Sequence, residues 1–287
     1  MKNKKEMINH LIEALPYIKK FQDQVFVFKY GGSIIEHFEN KSAFVQDVAL
    51  LMNLGMKVII VHGGGKHISR HLEKQGIPTE FHKGYRVTSS EAIDQVEMVL
   101  SGHISKDLTL IFNNNGIRAV GLNGKDAGLI QADKKIIDEQ MDIGHVGDVK
   151  SIDTDFLELI LSKGYLPIIA PIGFDSQGNT YNINADDVAC EIAKSMKAKK
   201  LFMISDVDGV YLDFEDKNSF ISRMDVQKAR ELIETGGIVG GMIPKMLSAI
   251  GAIEAGVSSV HIINGMLKHS VLLEVFSNEG IGTMIEN

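Results

Sequence analysis

The amino-acid sequence predicts an α/β protein built on an open, mainly parallel sheet, and two stretches carry that prediction. One is residues 57–65, KVIIVHGGG, where four consecutive β-branched aliphatics (Val58, Ile59, Ile60, Val61) have the pattern of a strand buried on both faces. The other is Val25 to Phe28, a second apolar strand, joined to the first by helical periodicity over Ser42 to Leu54. Strand, helix and strand in that order form a right-handed crossover, so the two strands run parallel.

The second of these strands runs into His62 and three glycines, and a helix follows from about Lys66. Glycines there bring backbone N–H groups up to an anion with no Cβ in the way, and the helix adds the positive end of its dipole. The loop suits a phosphate or a carboxylate. A tight turn alone needs one or two glycines, so three favour a ligand.

With 287 residues, 44% hydrophobic and 7% aromatic, the chain can bury the core of one large α/β domain or of two unequal lobes. A formal net charge of −7 argues against nucleic acid as a partner, because a basic face able to neutralise several phosphates is hard to spare. The lone Cys190, in the helical run ADDVACEIAKSM, allows neither an internal disulfide nor a cysteine zinc cluster. Apolar runs stay too short to span a bilayer, and MKNKKEMINHLIEALP at the start has no signal-like apolar region. A cytoplasmic protein without a membrane partner is expected.

From the start of the chain, Met7, Ile8, Leu11, Ile12, Leu15 and Ile18 recur at helical spacing. Pro16 removes the amide that would bond the carbonyl of Ile12, so a kink or restart is expected there, making a hinged arm ahead of the first strand. A terminal helix packed on its own core has the same pattern. The first strand then delivers Lys29, Tyr30 and the Gly31-Gly32 turn at its carboxyl end, placing a cation beside flexible backbone. In open parallel sheets ligands sit outside the carboxyl ends of strands, so Lys29 and the His62–Gly65 loop can converge on one crevice; a solvated strand-end lysine is the alternative.

Gly84-Tyr85-Arg86-Val87-Thr88 precedes a capping stretch at Thr88 to Ser90 and a helix, with Arg86 expected on irregular chain. Its planar fork suits bidentate anion binding, although a loop arginine is more often a surface ion-pair partner. Residues 119–149 read as strand and hairpins, an elaboration over the crevice or a plain edge extension. A buried strand (residues 165–171) and a Gly-Asn turn at 178–179 lead to Asn182, Asn184 and Asp186 at a helix start, more polar groups than a cap needs. After the strand 201–205, Asp206, Asp208 and Gly209 are candidates to contact a nucleotide. A second glycine-rich element, residues 236–241, leads through Met242 to Lys245, where a helix is expected to open. Strand 259–263, a helix from about His269 to Asn278 and strand 282–285 close the chain.

There is no phosphate-loop signature ending in Gly-Lys-Ser or Gly-Lys-Thr, no G-x-G-x-x-G after the first strand and no H-E-x-x-H. What remains is two lysines, two polyglycine turns, an arginine and an aspartate, all near strand ends. Phosphoryl transfer needs this set: cations to offset charge spreading over the migrating group, and amides to hold its oxygens.

KYGGS (29–33), VHGGGK (61–66), GYRVT (84–88), GKD (124–126), APIG (170–173), YNINAD (181–186), DVDGV (206–210), GGMIPK (240–245) and GIGTM (280–284) resemble, in order and from about Lys19 onward, the N-acetyl-L-glutamate kinases of the amino-acid-kinase superfamily. The resemblance implies an αβα sandwich of the amino-acid-kinase fold, with a helical arm (1–22), an N-terminal lobe for acetylglutamate binding and dimerisation (23–174) and a C-terminal lobe for ATP (175–287). It implies ATP-dependent phosphorylation of the γ-carboxylate of N-acetyl-L-glutamate in arginine biosynthesis. Lys29 and Lys245 would stabilise the transition state from opposite sides and Asp186 would orient them. Gly64 and Gly65 would offer amides to the reacting carboxylate, while Arg86 and Asn182 hold the substrate's other polar groups. Gly31, Gly32, Asp206, Asp208, Gly209, Gly241 and Met242 would lie at the nucleotide. Mg2+ would ride on the ATP phosphates, with no dedicated protein metal site.

The chain has Asn123 where the family usually has serine, and Asn264-Gly265-Met266 where Asp-Gly-Arg is usual. Two other classes remain: a carboxylate kinase for another acidic amino acid, and a noncatalytic acetylglutamate or arginine sensor. Arg86 in its motif and the length without a regulatory extension speak against the first, and the presence of both lysines against the second.

The segment HSVLLEVFSNEGIGTM (269–284) and the N-terminal arm resemble those of the arginine-sensitive branch. That resemblance implies a homohexamer, a trimer of dimers with interlaced arms, inhibited by L-arginine bound near Tyr17, Lys200, His261, Glu274 and Gly280. Glu274 supplies the anion that a guanidinium requires.

Overall fold

The computed structural model describes residues 2–36, 38–138, 141–213, 216–277 and 279–287, with side chains described outside residues 2–11, 32, 33 and 38. Helix α1 (Lys2–Phe21) runs through Pro16 without restarting. A proline inside a helix forfeits one hydrogen bond, and the anchoring of the last turn carries the helix across: Phe21 is buried and meets Phe26 edge-on at 5.3 Å. Ile12 and Leu15 are exposed, while the expected stripe residues Met7, Ile8 and Leu11 lie outside the described side chains.

Strand β1 (Val25–Tyr30), α2 (Phe38–Asn53) and β2 (Lys57–His62) form the expected crossover, followed by α3 (Gly65–Lys74). Arg86 is not on irregular chain. It ends a hairpin of β3 (Phe81–His82) and β4 (Tyr85–Arg86), whose turn residues Lys83 and Gly84 both have positive φ, as a two-residue type I′ turn requires. Ser89 caps α4 (Ser90–Glu97), which continues through a π-helical stretch (Met98–Ile104) into α5 (Ser105–Asn114). Then follow β5 (Ala119–Leu122), β6 (Ile130–Lys134), β7 (Val146–Ile152), α6 (Thr154–Ser162), β8 (Leu166–Ile169), β9 (Ile172–Phe174), β10 (Thr180–Ile183), α7 (Ala185–Ser195) and β11 (Lys200–Ser205). The last part holds β12 (Val210–Tyr211), β13 (Phe220–Ile221), β14 (Arg223–Asp225), α8 (Val226–Glu234), α9 (Met242–Glu254), β15 (Val260–Asn264), α10 (Ser270–Phe276) and β16 (Thr283–Glu286). Asn278, the expected end of the closing helix, lies outside the described residues.

Among the described residues, eight strands make the central sheet in the order β14-β16-β15-β11-β1-β2-β8-β5, and its one antiparallel pair is β15–β16. Among the described residues of 119–149, β5 alone joins it; β6 and β7 close a small four-stranded barrel with β9 and β10. Alternate residues of the central strands face two separate cores. Val27, Ile59, Val61, Leu201 and Met203 pack with residues of α6 to α9. Phe26, Phe28, Ile60, Phe202 and Ile204 pack with residues of α2 to α5 and α10. The result is three layers, helices on both faces of a mainly parallel sheet.

The helix after β1 lies on one face and those after β11 on the other, although the two strands are neighbours. Connections that diverge in this way open a crevice at the strands' carboxyl ends.

Candidate active site

Lys29, the penultimate residue of β1, stands in register with Val61 of β2 and Met203 of β11, at the mouth of this crevice. Its side chain passes over Gly31: a Cβ there would lie 3.1 Å from both Cε and Nζ of Lys29. Gly31 therefore makes room for the lysine. Asn184 caps α7, its side chain accepting from the Asp186 amide at 2.8 Å, and that cap sets the direction of Asp186.

The Asp186 carboxylate joins two lysines. Oδ1 lies 2.9 Å from Lys29 Nζ as an ion pair, and Oδ2 accepts a hydrogen bond from Lys245 Nζ at 3.2 Å. Burial would raise its pKa, but the two ammonium groups outweigh burial and hold it at about 2. The next residue, Asp187, accepts from Ser248 Oγ at 3.2 Å, one turn beyond Lys245, so α7 and α9 are clasped at two successive levels. Helix α9 begins at Met242 and not at Lys245, with Pro244 in its first turn, where a missing amide costs no helical bond.

Lys29 opens on a cavity of about 220 Å³ shared with Gly63, Gly64, Gly65, Arg86 and Asn182. Arg86 is buried; its Nη2 donates to Gly65 O at 3.0 Å and to Ser69 Oγ at 2.8 Å, and its guanidinium lies 4.7 Å from the Phe81 ring. Its Nη1 is buried with no hydrogen-bond partner among the described residues. Burial lowers its pKa, yet a guanidinium stays charged, so a donor is left facing an anion-sized space. Asn182 Nδ2 donates weakly to Thr88 Oγ1 at 3.3 Å. Two of the loop glycines differ in what they permit. A Cβ on Gly64 would stand 2.4 Å from Ile104 Cδ1 and 2.8 Å from Leu100 Cδ2, whereas one on Gly65 would meet nothing within 4 Å.

Lys245 opens on a larger cavity, about 660 Å³, lined by Asp206, Gly209, Gly241 and Met242 among others. Asp208 stands outside that lining and accepts from Asn264 Nδ2 at 2.7 Å and from the Tyr211 hydroxyl at 3.3 Å. Gly31 lines neither cavity, and Gly32 opens the turn Gly32–Glu36, its surroundings being outside the described residues. At the opposite end of β11, Tyr17, Lys200, His261, Glu274 and Gly280 all line a cavity of about 760 Å³. There His261 Nδ1 donates to Glu274 Oε1 at 2.6 Å, while Lys200 Nζ, 2.8 Å from Nε2, donates to the imidazole.

Sequence reasoning missed Ser69, Phe81, Leu100 and Tyr211. Ser69 lies one turn after Gly65 and Phe81 opposite Arg86 across the Lys83-Gly84 turn, both readable as spacing; nothing local marks Leu100 as a site residue.

The model of the amino acid kinase family matches residues 24–264. The chain belongs to that family and is an enzyme of the kinase class, for which ATP is the implied phosphoryl donor. It is 47% identical to the acetylglutamate kinase of Kosmotoga olearia over 99% of both chains. It is also 50% identical to that of Methanococcus aeolicus over 96% of each. The resemblance carried by the motifs thus extends along nearly the whole chain. Among solved structures it is similar to N-acetylglutamate synthase from Neisseria gonorrhoeae complexed with coenzyme A and N-acetyl-glutamate, at a TM-score of 0.87 and 25% identity. The match covers 98% of this chain and 63% of that one, so this chain spans less than two thirds of the synthase.

Proposed function

We propose that the protein transfers the γ-phosphoryl group of ATP to the γ-carboxylate of N-acetyl-L-glutamate, giving N-acetyl-L-glutamyl 5-phosphate and ADP in arginine biosynthesis, under feedback inhibition by L-arginine. The observation that carries the chemistry is one ionised carboxylate gripping two lysines that open on different cavities. The smaller, with its buried guanidinium and loop glycines, fits a small dianion; the larger fits a nucleotide.

A carboxylate oxygen of the acceptor attacks the γ-phosphorus and the bond to the β-bridging oxygen breaks. Negative charge spreads over the three oxygens of the migrating group. Lys29 meets that charge from the acceptor side and Lys245 from the nucleotide side, while Asp186 fixes both ammonium groups in place without reorganisation. Arg86 and Asn182 orient the acceptor. A magnesium ion carried on the ATP phosphates would supply further charge neutralisation, and Asp206 and Asp213, carboxylates in the lining of the larger cavity, would be the residues to hold it there. In this reading residues 23–174 and 175–287 work as two lobes that contribute one lysine each.

The arginine proposal is supported by a buried carboxylate. Burial raises the Glu274 pKa, but the His261 hydrogen bond and the amides of Ile281 (2.7 Å) and Gly282 (3.0 Å) outweigh it, and the pKa ends below its usual value. An anion beside Lys200 complements a ligand carrying both charges. Exposed Ile12 and Leu15 on α1 support arms that pack on neighbouring copies in a hexamer. A cytoplasmic setting accords with the free, buried Cys190 thiol.

The test is an ADP-release assay with acetylglutamate, glutamate and aspartate side by side. Turnover confined to acetylglutamate is expected; preference for either free amino acid overturns the assignment.

A further inference from the structure

His62 ends β2 immediately before the glycine loop and is fully buried. Its Nδ1 lies 3.0 Å from the carbonyl oxygen of Gly63, while Nε2 is buried without a hydrogen-bond partner among the described residues. A carbonyl only accepts, so Nδ1 carries the proton. Burial lowers the imidazole pKa to about 4, which keeps the ring neutral near pH 7. An apolar side chain of similar size would avoid leaving Nε2 unpaired, so what the imidazole contributes is the Nδ1 donor.

That donor fixes a peptide plane. The Gly63–Gly64 peptide is trans, and in a trans peptide the C=O and the following N–H point in opposite directions. Holding the Gly63 carbonyl toward His62 therefore aims the Gly64 N–H away from the imidazole, toward the acceptor cavity that Gly64 lines. The other loop carbonyls are tied down too: Gly64 O accepts from the Ile68 amide at 2.9 Å and Gly65 O from Arg86 Nη2 at 3.0 Å. Gly63 N–H is used, bonding Tyr30 O at 2.8 Å, whereas the Gly64 amide donates to no acceptor among the described residues.

We propose that His62 is a positioning residue for the reaction, whose Nδ1–H locks the Gly63–Gly64 peptide so that the Gly64 amide, and not the Gly63 carbonyl, faces the carboxylate being phosphorylated. Without the lock the glycine-flanked peptide is free to flip, which would turn a carbonyl oxygen toward an anion. The proposal rests on the acceptor assignment given above, so the wild-type protein is first assayed with each candidate acid and the one it phosphorylates is used throughout.

The test compares His62→Asn, which retains a donor near the Nδ1 position, with His62→Leu and His62→Gln, which do not. Expected is a rise of about tenfold or more in the acceptor KM and a fall in kcat for Leu and Gln, little change in the ATP KM, and substantial rescue by Asn. A merely structural role would lower the active fraction while leaving both KM values alone and would not distinguish Asn from Gln. If Leu fails to fold, the Asn–Gln pair decides. Equal acceptor KM values in Asn, Gln and wild type overturn the proposal, whereas wild-type inactivity toward acetylglutamate would remove only the substrate assignment.

Discussion

Lys29 and Lys245, on β1 and α9, are bound to opposite oxygens of one carboxylate, that of Asp186 at the start of α7. The aspartate links the two, and it belongs to a helix whose first turn is capped by Asn184.

In the proposed mechanism the lysines act on charge that develops only as the phosphoryl group migrates. Lys245→Ala should therefore lower kcat by about 10²-fold or more with a modest change in either KM. Steady-state kinetics decide it, and near-normal kcat would remove Lys245 from the mechanism.

Arg86→Lys keeps the charge but loses the fork that bonds Gly65 O and Ser69 while leaving Nη1 for a ligand. The acetylglutamate KM should rise by an order of magnitude or so at similar ATP KM. An unchanged acetylglutamate KM would confine Arg86 to a structural part.

Gly64 and Gly65 should respond oppositely to an added methyl. Gly64→Ala drives Cβ into Ile104 and Leu100 and should cost about 1–3 kcal/mol in a denaturation curve. Gly65→Ala enters open space and should leave stability within about 0.5 kcal/mol while weakening acceptor binding.

Asp186 also links stability to pH. Its pKa falls from 3.8 to about 2 on folding, so the unfolded chain takes up a proton first as the solution is acidified. The contribution, about 2 kcal/mol, is fully present above pH 4 and is lost as pH falls toward 2. The stability gap between wild type and Asp186→Asn should be flat from about pH 8 to 5 and shrink below 4. A gap that stays constant through this acidic range contradicts the assignment.

If the proposed hexamer and arginine inhibition hold, removing residues 1–19 should give dimers that arginine no longer inhibits while preserving turnover. Mass measurement and an arginine titration of the two chains check this, and a full-length dimer indifferent to millimolar arginine would sink it.

The crevice residues Lys29, Arg86, Asn182 and Lys245 were legible because each follows a strand, turn or glycine run whose pattern is local. Helix α8 was not read, although Asp225 before Val226, Ala229 and Leu232 is a cap before an apolar face. The barrel escaped because β6 and β9 are short and touch through one register pair, which nothing in either segment specifies. His62 was visible as a residue but not as a donor, since the direction of its ring depends on packing from both neighbouring layers.

The sequence by itself determined the parallel α/β class, the strand-end glycine loops and the identities of both lysines, because buried runs, periodicity and glycine placement are properties of adjacent residues. Only the tertiary structure decided that Asp186 bridges those lysines, that Asp208 turns to Asn264 and Tyr211 and lies outside the larger cavity, and that Gly64 and not Gly65 is sterically required. Those outcomes depend on distances between elements far apart in the chain, which close packing fixes and local pattern does not.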